Sequence, residues 1–188
     1  IDPAIIIVIC SGGILVSMIP IGVLLAGVAR QGAVADHAVM LVLLSLGYIM
    51  VAGLIIASIT GYMAGLIGAS NSPVSGVGIL TALGISLILA WLFKGAGEAV
   101  TSSLIAFALL VTAIIFGIAT IANDNLQDLK TGQLVGATPW RQQVALVIGV
   151  IFGALIIPPI LDLLNTAFGF VGAPGAGKNA LDAPQAAL

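Results

Sequence analysis

The chain has 188 residues, of which 61% are hydrophobic and 6% are Asp, Glu, Lys or Arg, with a formal net charge of −2. A soluble globular domain carries roughly a quarter of its residues as charges, so a water-soluble fold is excluded: these few cannot cover its surface. Neither an acidic nor a basic run is present to recruit nucleic acid or anionic lipid.

Where the charges fall says more than their number. Residues 3–29, 38–93, 99–123 and 142–161 contain no Asp, Glu, Lys, Arg or His. A helix needs about 20 apolar residues to cross a hydrocarbon core of about 30 Å. Three of these runs fit one crossing each and the run 38–93 fits two, which predicts about five transmembrane helices. The runs are continuously apolar and lack the period-2 alternation of an outer-membrane barrel. The expected class is therefore an all-α membrane protein, a polytopic helical bundle, and its many Gly, Ala, Ser and Thr residues favour close helix packing. Ile1-Asp2-Pro3 lacks an initiator Met and a basic n-region. The chain reads as a segment of a longer protein, with residues 1–188 forming one partial transmembrane domain and 170–188 an inter-span loop.

The first span is expected from about Ala4 to Val28, kinked near Pro20. A connector with Arg30, Asp36 and His37 follows. The second span begins at Ala38 and stays apolar to about Ile67, which at 1.5 Å per residue is about 45 Å of helix. That excess predicts strong tilt or a break near Thr60-Gly61. Residues 68–76, GASNSPVSG, are rich in turn formers and predict a broken or re-entrant segment. The third span is expected over Val77 to Phe93, closed by Trp91 and Lys94 as an aromatic belt and a snorkelling cation. The fourth runs from about Ala99 to Ala122, and residues 123–141 read as a polar connector. The fifth runs from about Gln143 to Leu164, interrupted by Pro158-Pro159. Lys and Arg divide almost evenly between alternate loops (Arg30 and Lys94 against Lys130 and Arg141), so the positive-inside rule leaves the orientation open.

Two segments carry candidate chemistry. Irregular backbone at membrane depth is tolerated only inside protein or along a water-filled cavity, and transporters place such breaks at substrate and ion sites. The candidate pathway residues are Gly68, Ser70, Asn71, Pro73, Ser75 and Gly76; the competing reading is an interfacial loop. In the second segment Asp124 and Asp128 are four apart and share a face if helical. With Lys130 they are candidates for proton coupling or gating, Asp124 foremost because it lies closest to the apolar run; the competing reading is a solvated loop. No cofactor is expected. A single His37 and a single Cys10, which also exclude an intrachain disulfide, make no metal-ligand cluster. Gly172–Asn179 approaches a P-loop, but Asn179 stands where Ser or Thr must reach Mg²⁺. No nucleophile and base pair up within the spans, so an enzyme is not expected.

Four strings then stand together in order: GYMAGLIGASNSPVSGVGI (61–79), NDNLQDLKTGQLVGATPWRQQ (123–143), LIIPPILDLLNTAFG (155–169) and DAPQAAL (182–188). They resemble the oligopeptide transporter superfamily, in particular its bacterial, yellow-stripe-like branch, and correspond to part of its C-terminal half. Ser72 and Ala187 are mild departures, where a second Asn and a Thr are common. The resemblance implies secondary active transport of oligopeptides or metal–chelate complexes, coupled to protons. The transporter would sit multi-pass in a bacterial inner membrane, its other partners being the lipid bilayer and the remaining spans of the same protein. It also implies that the cavity-side segment falls on the six pathway residues above, and that the connector string falls on Leu126, Gln127, Asp128, Lys130, Thr131 and Gly132. The alternative is a non-transporting membrane scaffold subunit whose 123–141 connector docks a partner protein.

Overall fold

The structure is a computed structural model and describes residues 18–30, 33–169 and 180. Among these residues there is no strand. The helices are α1, described over Met18–Ala29, α2 (Ala38–Ile67), α3 (Val74–Leu92), α4 (Glu98–Val135) and α5 (Pro139–Ala167), with short 3-10 turns at Ala35–His37 and Ala69–Asn71. The last four are long and apolar enough to cross a membrane. The protein is thus an all-α, polytopic membrane helical bundle. It divides into two compact units, Ile1–Lys130 and Thr131–Leu188.

In the first unit the core is a set of i, i+4 seams, the rows that pack helices ridge into groove. α2 contributes Leu41, Ser45 and Ile49; α3 contributes Thr81, Ile85 and Leu89; α4 contributes Phe107, Val111, Ile115 and Ala119, all buried. Lipid offers no hydrophobic drive for helix association, so close approach through small residues matters more than in water. A Cβ added at Gly53 would meet the Ile118 side chain at 3.3 Å. One at Gly61 would meet Leu126 Cγ at 3.3 Å and the Ala122 carbonyl at 3.5 Å. The Tyr48 hydroxyl crosses to donate to the Thr81 carbonyl at 3.0 Å, lying over Gly84, where any side chain would collide with it. At one end His37 meets Phe93 edge-on, with ring centroids 5.3 Å apart. Several hydroxyls within the helices return to their own backbone: Ser58, Thr81, Thr112 and Thr120 each donate to the carbonyl four residues back. This satisfies a polar group that hydrocarbon cannot solvate.

Several boundaries differ from the sequence expectation. α2 runs unbroken through Thr60-Gly61 and stops only at Gly68. α3 begins at Val74 rather than Val77. The polar connector is not a loop: α4 has 38 residues and continues to Val135. Residues 123–131 lose hydropathy but contain neither Pro nor Gly, and Leu, Gln and Lys are good helix formers. A helix of that length spans about 57 Å, well beyond the hydrocarbon core, so its polar end needs no loop to leave the apolar layer. Gly136, at φ 72°, closes it.

In the second unit the turn is tight. The Ala137 amide donates to the Gly132 carbonyl at 2.8 Å, and Gln142 lies over Gly132 so closely that a side chain there would collide with it. α5 continues through Pro158 and Pro159, which the sequence reading took as an interruption. Proline lacks an amide hydrogen, so the Ala154 and Leu155 carbonyls receive no bond from four residues on. No residue of α5 is buried. The expected first half of span one, the 170–188 loop, Cys10 and the P-loop-like string lie outside the described residues, Ala180 excepted.

Gly61 gives a direct test. Gly61→Ile should destabilise the full-length protein by about 1–3 kcal/mol through overpacking, read as a lower denaturation midpoint in detergent. Gly65→Ile, at a position with open space around it, should cost less.

Candidate functional site

The break between α2 and α3 is short and specified residue by residue. Gly68 ends α2 at φ 84°, ψ 157°, a region essentially reserved for glycine. Its amide still donates to the Ala64 carbonyl at 3.0 Å. The chain then makes a single 3-10 turn, Ala69–Asn71, with the Asn71 amide on the Gly68 carbonyl at 3.3 Å and the Ser72 amide on the Ala69 carbonyl at 3.2 Å. Ser72 is extended, as favoured by the proline that follows. The Asn71 side-chain amide reaches back to the Ile67 carbonyl at 3.3 Å, so it caps the C-terminal end of α2. Val77 bonds the Pro73 carbonyl at 3.0 Å, and α3 is under way.

The predicted pathway residues therefore fall into two groups. Gly68, Ser70, Asn71 and Pro73 form the break itself, while Ser75 and Gly76 belong to the first turn of α3. Ser70, Asn71, Pro73, Ser75 and Gly76 are exposed and Gly68 is half-buried. These residues present hydroxyls, an amide and turn carbonyls but no fixed charge. Two clefts in the same unit lie elsewhere. One, of about 310 Å³, includes Lys94 and Thr101; the other, of about 290 Å³, is lined by Met18, Ile49, Gly53 and Ile118.

Asp124, Asp128 and Lys130 all lie on exposed positions of α4. The helix puts Asp124 and Asp128 on one face, as their spacing predicted. Asp124 accepts a hydrogen bond from the Asn123 side-chain amide at 3.5 Å. Among the described residues, no three His, Cys, Asp or Glu side chains are grouped to hold a metal ion.

Two residues that the sequence reading left without a role connect these segments. Thr60 is fully buried. Its hydroxyl is shared between the Ile56 carbonyl at 2.9 Å and, across the helix crossing, the Ala119 carbonyl of α4 at 3.2 Å. From the other side, the Ser72 hydroxyl donates to the Thr60 carbonyl at 3.4 Å. One turn beyond Ala119 on the same face of α4 stands Asn123, 5% exposed, whose Oδ1 is buried without a hydrogen-bond partner. An orphaned buried acceptor costs about 1–3 kcal/mol. The only sequence signal for Thr60 was its polar character beside a glycine within a long apolar run.

Comparison with known proteins now bears on this arrangement. The profile of the family described as OPT oligopeptide transporter protein matches residues 7–188. A Haemophilus influenzae protein that carries a provisional oligopeptide transporter name is 51% identical over 144 residues, covering 72% of this chain and 23% of its own length. Two rice proteins, provisionally named metal-nicotianamine transporters YSL10 and YSL12, are 37% and 32% identical over 68 and 87 residues, covering 36% and 46% of this chain. Those matches take in 10% and 12% of the rice proteins, so the chain spans less than a quarter of the length of each of these relatives. No solved structure matches the chain.

The conformation of Gly68 is testable by itself. Gly68→Ala should destabilise the full-length protein by about 1–3 kcal/mol, because a Cβ is strained in that region of backbone space. Gly65→Ala, in the preceding turn with open space around it, is the control and should leave the denaturation midpoint nearly unchanged.

Proposed function

The chain belongs to the OPT oligopeptide transporter family, and from that premise we propose that it supplies part of a secondary active transporter for oligopeptides or metal–chelate complexes, driven by protons. The observation that carries the proposal is the family match across residues 7–188, in a chain whose long apolar helices are interrupted by a polar break. The names of the relatives support both substrate classes: oligopeptide for the Haemophilus protein and metal–nicotianamine for the rice proteins. A metal carried inside a chelate takes its ligands from the chelator, so either cargo suits a site of hydroxyls, amides and carbonyls. The similarity to a bacterial protein supports a bacterial inner membrane as the location.

In this reading Gly68, Ser70, Asn71, Pro73, Ser75 and Gly76 form one wall of the substrate path, and the remaining spans of the full transporter form the other. Freed backbone groups at a helix break, with small uncharged side chains, can replace the water shell of a peptide or chelate without imposing a fixed charge. Asp124 is the proton-linked group. It is a carboxylate toward the polar end of a spanning helix, where protonation can be exchanged with water. Asp128 and Lys130 continue the same polar surface and act in gating.

Two substitutions in the full-length protein test the assignment. Asn71→Ala should reduce uptake into proteoliposomes to background while membrane insertion and yield stay normal; unchanged uptake removes the break from the mechanism. Asp124→Asn should flatten the dependence of uptake on external pH. A pH profile identical to the parent's would make Asp124 an ordinary surface carboxylate.

A further inference from the structure

The crossing of α2 and α4 carries an inference about a residue outside the pathway and proton-linked sets. Thr60 is fully buried, yet both of its polar groups are committed outward from its own position. The hydroxyl reaches the Ala119 carbonyl of α4 at 3.2 Å while also bonding Ile56 within α2. The carbonyl receives the Ser72 hydroxyl from the break at 3.4 Å. Thr60 is thus tied by side-chain hydrogen bonds to the break on one side and to α4 on the other. Its neighbour Gly61 lets the two helices approach until an added Cβ would stand 3.3 Å from Leu126 Cγ and 3.5 Å from the Ala122 carbonyl. Within the turn that follows Ala119, Asn123 Oδ1 is buried and unpartnered, so the polar capacity of this crossing is not exhausted in the arrangement described. A buried acceptor one helical turn away gives the crossing a second partner to recruit if the helices shift.

We propose that Thr60 is a positioning residue that latches the break at Gly68–Pro73 onto α4, so that the break and the Asn123–Asp124 end of α4 rearrange together. It touches no substrate. It acts through Ser72 on the break and through Ala119 on the helix that bears Asp124. The geometric part of the proposal stands on the hydrogen bonds alone; its role in transport rests on the transporter reading.

The test uses the full-length protein with its native cysteines replaced and Ser70→Cys, an exposed position in the break, as a reporter for a polar maleimide. Thr60→Val keeps the shape and removes the hydroxyl; Thr60→Ser keeps the hydroxyl. Loss of one such hydrogen bond should speed labelling in Thr60→Val by about three- to tenfold, with Thr60→Ser labelling like the parent. Ser72→Ala, which leaves the helix crossing intact, should speed labelling as well and serves if Thr60→Val does not fold. Equal labelling rates in Thr60→Val and the parent, or in Ser72→Ala where only that variant folds, overturn the latch. In uptake measured with native Ser70, Thr60→Val should lower the maximal rate with KM within about twofold, as expected when an interaction outside the binding site is removed, and Thr60→Ser should restore it. Faster labelling of Thr60→Val, when the protein with native Ser70 transports no peptide or chelate, leaves the latch standing and removes the transporter reading. Unchanged labelling in a protein that does transport removes the latch and leaves that reading intact.

Discussion

In hydrocarbon a backbone amide or carbonyl without a protein partner has no water to turn to, and each costs several kcal/mol. That constraint governs the helices of this chain and the one irregular segment joining α2 to α3. The break is affordable because several of the groups it frees are bonded again at once: Gly68 to Ala64, Asn71 and Ser72 to the turn before them, and the Asn71 side chain to the end of α2. The same constraint explains the hydroxyls. Ser58, Thr81, Thr112 and Thr120 bond the preceding turn, which lets polar atoms stand in apolar runs without disturbing them, whereas the buried Ser45 hydroxyl has no partner. Thr60 is the exception that reaches beyond its own helix.

Packing follows from the same solvent. Where lipid is as apolar as leucine, helices are held by close fit and shared hydrogen bonds rather than by expulsion of water. Gly53 and Gly61 bring α4 against α2, and the buried hydroxyl of Thr60 then comes within reach of a backbone carbonyl on its neighbour. Two segments distant in sequence, the break and the polar end of α4, thereby share one crossing. The break exposes three uncharged residues, Ser70, Asn71 and Pro73, and the polar end of α4 exposes two carboxylates, Asp124 and Asp128.

The helical membrane class was legible from the uncharged runs alone, and the break from the cluster of Gly, Ser, Asn and Pro at 68–73. The extent of α4 was not. Hydropathy falls at Asn123, yet nothing in residues 123–131 stops the backbone from continuing; loss of apolarity and loss of helix are different events. The reverse error occurred at Pro158-Pro159, where a strong local breaker did not end α5. Thr60 and Asn123 could not be ranked from sequence, because what distinguishes them is burial and a partner 59 residues away in the case of Thr60. The LQDLKTG string at 126–132, which carries the family resemblance, lies on α4.

α5 bears on how such a protein is made. Its two prolines leave the carbonyls of Ala154 and Leu155 without the usual amide, and no residue of the helix is buried. A segment leaving the translocation channel short of two amide donors midway along it is less well matched to lipid on that side. It gains from meeting its neighbours early, while the insertion machinery still shelters it. The order in which spans are handed to the bilayer is then a matter of backbone chemistry as much as of hydropathy. Twin prolines that look like a flaw in an isolated helix become an instruction about when that helix should find company.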